Sequence, residues 1–188
     1  MGIKYPKQKK TGGFIAWTEE HVATYQARWP IGTRQRVWLD VLLYTGLRRG
    51  DAVRFGRQHV RDGVGTLKTE KTDTQVTLPI LPELEATLRA GPCGDLTFIA
   101  GESARPMTKE SFGNEFRDAC RAAGVPGSAH GVRKLAAIRL ANAEATVPQL
   151  NAIFGWSGAR MALHYIENAD RGRLAREGMS KLIETNAK

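Results

Sequence analysis

The sequence predicts a mainly α-helical domain carrying one small antiparallel β-sheet, an α+β fold. Apolar residues return at helical spacing through most of the chain, and the period turns β-prone only between His59 and Leu78. No internal repeat or low-complexity tract divides the chain into modules. At 188 residues it suits one domain, or one domain with a small appendage, and can bury a real core.

The first residues, up to about Ala16, contain Lys4, Lys7, Lys9, Lys10, Pro6 and Gly12-Gly13 and read as a basic arm or linker. The domain proper is expected over 17–188. Thr18, with Glu19 and Glu20 behind it, caps a first helix that Trp29-Pro30 stops. A second helix follows Thr33, with Val37, Trp38, Val41, Leu42 and Tyr44 at helical spacing and Gly46 placed to end it. Short β-prone pieces at Val60, Val64, Thr66, Val76 and Leu78, with Asp62-Gly63 as a tight-turn signal, predict the sheet. Pro79 and Pro82 end it; a helix follows to about Arg89, then a loop at Gly91-Pro92-Cys93-Gly94.

Helices then dominate. Thr108 caps a segment whose Phe112, Phe116, Ala119 and Cys120 share one face, closed by Gly124 and Pro126. Another begins near His130. Thr146 and Gln149 form a capping-box pattern with Pro148 in the first turn, and Gly155 closes that short helix. A helix from about Ser157 carries Tyr165 near its end, and Asp170 would cap a last amphipathic one bearing Leu174, Ala175, Met179, Leu182 and Ile183.

A net charge of +9, from 28 Lys and Arg against 19 Asp and Glu, biases the surface toward a polyanion, of which nucleic acid is the commonest. Cys93 and Cys120 have no CxxC spacing and read as reduced packing residues. No apolar run approaches a membrane span and the N-terminus lacks a signal-peptide core, so a cytoplasmic protein with no membrane partner is expected. His21, His59, His130 and His164 lack ligand spacing, and no metal site is expected.

Four residues in the second half are chemically suited to a phosphate. His130 and Arg133 in His130-Gly131-Val132-Arg133 lie three apart, on one helical face, and could meet one anion together. Trp156, in Gly155-Trp156-Ser157, offers an indole N–H. Tyr165 offers a phenol whose ordinary pKa near 10 leaves about one in a thousand ionised at neutral pH, so as a nucleophile it needs a base and a cationic pocket. His164, adjacent to it, should point elsewhere on a helix. Upstream, Thr45-Gly46-Leu47-Arg48-Arg49-Gly50-Asp51 supplies a second guanidinium at Arg48, which Asp51 could hold. Lys71, in the turn before the last strand, is a candidate acid for a leaving oxygen, with Lys68 its rival. Taken singly, each has an ordinary structural reading: a helix cap, a surface ion pair, a solvated turn lysine, a packed aromatic.

Their order and spacing together resemble the tyrosine recombinase (phage integrase) catalytic domain from about Trp17 onward. That family has an arginine after a Thr-Gly-Leu turn, a sheet-borne lysine, His-x-x-Arg, Gly-His or Gly-Trp, then the tyrosine. The resemblance implies the DNA breaking-rejoining enzyme fold, with Arg48, Lys71, His130, Arg133, Trp156 and Tyr165 as catalytic residues and Asp51 in support. Trp156 stands for the commoner histidine, and Gly158 for a frequent small hydroxyl residue. It further implies a double-stranded DNA partner, a 3′-phosphotyrosyl intermediate, no cofactor, and a tetramer on DNA formed through the C-terminal helix. Members usually carry a DNA-clamping domain ahead of the catalytic one, so a fragment or a short member is expected. A type IB topoisomerase-like activity, a non-catalytic DNA-binding module and a basic helical interaction protein are the alternatives.

Overall fold

The computed structural model describes residues 14–125, 128–167, 169, 175 and 177–180. Helix α1 (Glu19–Arg28) starts at Thr18, whose hydroxyl accepts the His21 N–H while the His21 ring accepts the Thr18 N–H. Helix α2 (Arg34–Thr45) starts at Thr33 and stops at Gly46, which takes the left-handed conformation (φ 61°). A four-residue helix α3 (Arg49–Ala52), which no periodicity announces, follows directly.

The sheet comprises β1 (Val60–Arg61), β2 (Val64–Lys68) and β3 (Gln75–Pro79) in the order β1-β2-β3, both pairs antiparallel. Asp62 (φ 48°) and Gly63 (φ 74°) both take positive φ in the first hairpin turn, as a two-residue loop matching strand twist requires. In the longer pair Leu67 faces Val76 and Gly65 faces Leu78, and these four residues form the buried face. Helix α4 (Pro82–Ala90) then leads through the 91–108 connection to α5 (Lys109–Ala122), capped by Thr108, and on to α6 (Ala129–Asn142), capped by Ser128. Helices α7 (Val147–Phe154) and α8 (Arg160–Glu167) follow, and residues 175 and 177–180 are helical as well.

Helix α2 is buried on nearly all sides, from Val37 through Leu43, and packs against α4, α5 and α6. Such a helix is the axis of a core rather than its lid. Trp17, Tyr25, Trp38, Phe112 and Phe116 fill the space around it. A second, smaller cluster joins α6, α7 and α8 through Ala136, Ala137, Leu150, Phe154 and Ala162, with Trp156 and Tyr165 packed on its edge.

Two expectations shift. The helix bearing Tyr165 starts at Arg160, because Gly158 turns the chain at φ 70° and its carbonyl accepts the Asn151 side-chain amide at 2.9 Å. The end of the segment expected as an arm lies on the domain: Lys134 Nζ donates to the Phe14 carbonyl at 2.5 Å, and the Phe14 ring sits 5.1 Å from that of His130. Lys4, Lys7, Lys9, Lys10, Pro126 and, in the expected last helix, Asp170, Leu174, Leu182 and Ile183 lie outside the described residues; Met179, within them, is exposed.

Candidate active site

Gly46 opens the site. A Cβ there would lie 2.4 Å from the Phe154 ring, and φ 61° disfavours any other residue. The chain passes through buried Leu47 to Arg48, the extended N-cap of α3. Arg48 Nη1 is buried and has no hydrogen-bond partner among the described residues. A buried, unmatched guanidinium N–H is a costly feature in a folded chain and points to an anion that completes it.

Arg133, on α6, is buried as well, yet its fork is held. Nη1 donates to the Gly46 carbonyl and Nη2 to the Phe154 carbonyl at 2.9 Å, so the ends of α2 and α7 fix the guanidinium between them. It also lies 5.0 Å over the Phe154 ring. Burial, with the repulsion of neighbouring Arg48, pushes its pKa down to about 9. Its charge lacks full compensation.

His130 lies one turn before Arg133. Partial desolvation, then the charges of Lys134, Arg133, Arg48 and Lys71, hold its imidazole below the ordinary 6.5. A ring so placed is neutral at pH 7 and free to accept a proton.

The turn carrying Lys71 is fastened on two sides. The Asp51 carboxylate, on α3, accepts the Glu70 N–H at 2.7 Å, and the Thr72 hydroxyl reaches the Gly155 carbonyl at 3.4 Å. Within the turn, Thr69 bonds to both Thr72 (2.8 Å) and the Thr74 N–H (3.3 Å). Lys68 is engaged with Asp73 at 2.8 Å, whereas Lys71 lines the cleft. The expected contact of Asp51 with Arg48 gives way to this one: Asp51 serves the Glu70 N–H and, at 3.5 Å, Arg54. Arg48 is an extended N-cap, so the three-residue spacing does not put the two on one helical face.

These parts border a cleft of about 410 Å³ lined by Arg48, Arg49, Lys71, Lys109, His130 and Arg133, with carboxylates only from Asp51 and Glu70 and with Phe14 at its edge. Such a surface suits a phosphate group. Trp156 and Tyr165 stand outside this lining. Trp156 stacks on Phe154 (4.6 Å, 16°) and on Tyr165 (5.4 Å, 3°). Arg133 links the two regions, since it lines the cleft, lies 6.0 Å from the Trp156 ring and is close enough to Tyr165 to lower its pKa. Burial outweighs that effect and raises Tyr165 above the ordinary 10, so the phenol is protonated at pH 7. His164 packs edge-on against Tyr165.

Sequence reasoning missed Phe14, Arg49, Glu70, Lys109 and Thr72. A signal existed for two of them: Thr69, Thr72 and Thr74 spell hydroxyl-bonded turn chemistry, and Phe14-Ile15 is an apolar pair directly after Gly12-Gly13.

The model of the phage integrase family matches residues 19–171. The chain belongs to the phage integrase family. Among solved structures, this integrase-family domain is similar to a lambda integrase dimer bound to a COC′ core site (22% identity, TM-score 0.68), with 85% of this chain and 60% of that one covered. It is also similar to the XerA recombinase (16%, TM-score 0.69, 94% and 66% covered). A third is a lambda integrase tetramer bound to a Holliday junction (21%, TM-score 0.63, 77% and 47% covered). The domain thus spans about three fifths of the length of the first of these. At these identities the likeness establishes a shared fold. No curated protein sequence matches the chain.

Proposed function

We propose that this domain breaks and rejoins double-stranded DNA as the catalytic part of a site-specific recombinase. The observation that carries the reading is the unmatched Arg48 Nη1, buried beside Arg133 and His130 in a cleft bordered by lysines. Family membership supplies the reaction such a cleft would serve.

In this reading a backbone phosphate enters the cleft and its non-bridging oxygens take the open protons of Arg48 and Arg133. Negative charge grows on those oxygens as the phosphorus is attacked, and two guanidiniums, that of Arg133 held in place by two carbonyls, meet it. Tyr165 attacks in line. Its proton passes to neutral His130, and the approaching phosphate and Arg133 draw the phenol into place; Trp156, stacked on its ring, positions it. The P–O bond to the 5′ oxygen breaks, Lys71 protonates that oxygen, and a 3′-phosphotyrosyl ester and a free 5′ hydroxyl result. A partner strand's 5′ hydroxyl reverses the step. The ester keeps the bond energy, so the cycle balances without ATP, and the cationic cleft must supply much of a barrier reduction of about 8–23 kcal/mol. Four protomers on two duplexes are the working assembly in this reading, which the lambda integrase tetramer on a Holliday junction supports by analogy.

The test is a nicked suicide substrate. A covalent DNA adduct that maps to Tyr165 and disappears in Tyr165→Phe, while DNA binding persists, is the expected outcome. Absence of adduct from the wild-type protein in its full length, on DNA that it binds, would sink the enzymatic reading.

A further inference from the structure

Arg49 is a cation that the reaction above does not use. It is the first residue of α3, it lines the cleft, and no ion pair or side-chain hydrogen bond engages it among the described residues. Its guanidinium lies against α5 at Gly113. A Cβ on Gly113 would come within 2.3 Å of Arg49 Nη1 and 3.1 Å of its Cζ, so a side chain there would push the flexible guanidinium off its present seat. Gly113 sits in the interior of a fourteen-residue helix, where glycine costs about 0.5–1 kcal/mol relative to alanine. Its φ is not positive, so backbone conformation does not demand glycine there. The atoms nearest to that Cβ all belong to Arg49.

Arg48 and Arg49 diverge although they are adjacent. Arg48 is extended and half-buried, whereas Arg49 is helical and exposed on the α5 side, where Lys109 also borders the cleft. Lys109 is engaged at 3.1 Å with Glu70, whose carboxylate offsets one charge on that side. The cleft holds more than one phosphate needs: at about 30 Å³ for each water, a five-atom phosphate group fills only part of about 410 Å³. DNA presents phosphates in series along each strand, and one beside the cleaved phosphate has to lie near one flank of the cleft.

We propose that Arg49, seated against Gly113, forms a second phosphate position that takes the DNA backbone phosphate next to the one to be cleaved. This rests on the DNA-cleaving reading above, because that reading places the first phosphate at Arg48, His130 and Arg133. The second contact fixes the strand's register, so that the phosphorus, rather than a neighbouring linkage, faces Tyr165.

The test is the salt dependence of binding to a short mixed-sequence DNA duplex. Each neutralised phosphate contributes about 0.9 to the slope of log K against log salt. Arg49→Ala should lower the slope by about that amount, and Gly113→Ala, by displacing the guanidinium, should lower it equally. The double variant should lose no more than either alone. Gly113→Ala should melt no lower than the wild type, which separates a displaced arginine from a damaged fold. An unchanged slope in Arg49→Ala overturns the second position. A wild-type protein that fails to bind the duplex at all overturns the underlying reading and this inference with it, whereas binding without a Tyr165 adduct overturns only the cleavage chemistry.

Discussion

At the scale of single residues, the cleft is a set of charges awaiting compensation. Arg48 has an open N–H, burial and Arg48 lower Arg133 to about 9, and partial burial together with the surrounding cations holds His130 below 6.5. An arriving phosphate would meet the open N–H and offset the repulsion among these cations. In the free protein the His130 ring should therefore titrate below 6.5, and adding a DNA duplex should raise that value, because a phosphate cancels the cations that repel the proton. Histidine NMR signals followed against pH would show it; a titration at or above 6.5 without DNA contradicts this electrostatic account. The linked effect on stability has a definite sign. Between the lowered folded value and 6.5 the unfolded chain binds more protons, so His130 makes the fold less stable as pH falls through that window. Arg48→Ala removes a donor aimed at developing charge. Adduct formation should slow by about 10²–10³-fold, with a much smaller loss of binding. Equal losses in the two measurements would place Arg48 in binding alone.

At the scale of elements, the ends of helices and one hairpin turn set the geometry. The carbonyl of Gly46, closing α2, and that of Phe154, ending α7, clamp the Arg133 fork, and the Phe154 ring rests on Gly46 itself. Gly46→Ala should cost about 1–3 kcal/mol in urea unfolding, from the left-handed backbone and the overpacked ring. Adduct formation should fall with it because Arg133 shifts. The β2–β3 turn depends in turn on Asp51. Asp51→Ala removes the acceptor of the Glu70 N–H and should loosen the turn that presents Lys71. Cleavage should then slow on ordinary DNA but recover on DNA with a bridging 5′ sulfur, whose thiolate leaves without needing a proton. An equal defect on both substrates would show that Asp51 serves the fold and not Lys71.

At the scale of the whole molecule, a charge of +9 and a cleft edged by five Arg and Lys side chains predict binding that weakens linearly in log salt. Affinity that is flat between low and physiological salt would argue against a phosphate-led interface. Much of the architecture is legible in the sequence. Thr18, Thr33, Thr108 and the Thr146–Gln149 box mark helix starts by local hydrogen bonds, and Asp62-Gly63 marks a hairpin by local φ preference. Such signals act within a few residues, so the sequence carries them directly. By the same token the order of Arg48, Lys71, His130, Arg133 and Tyr165 could be read along the chain, and with it the family. Tertiary structure alone decided what those residues touch. Asp51 turned from Arg48 to Glu70, Trp156 became a ring stacked on Tyr165, Lys68 was taken by Asp73, and Arg49 found its place against Gly113. Each of these depends on contact between segments far apart in the chain or on a side-chain direction that spacing does not encode. Packing, and not local preference, chooses among them.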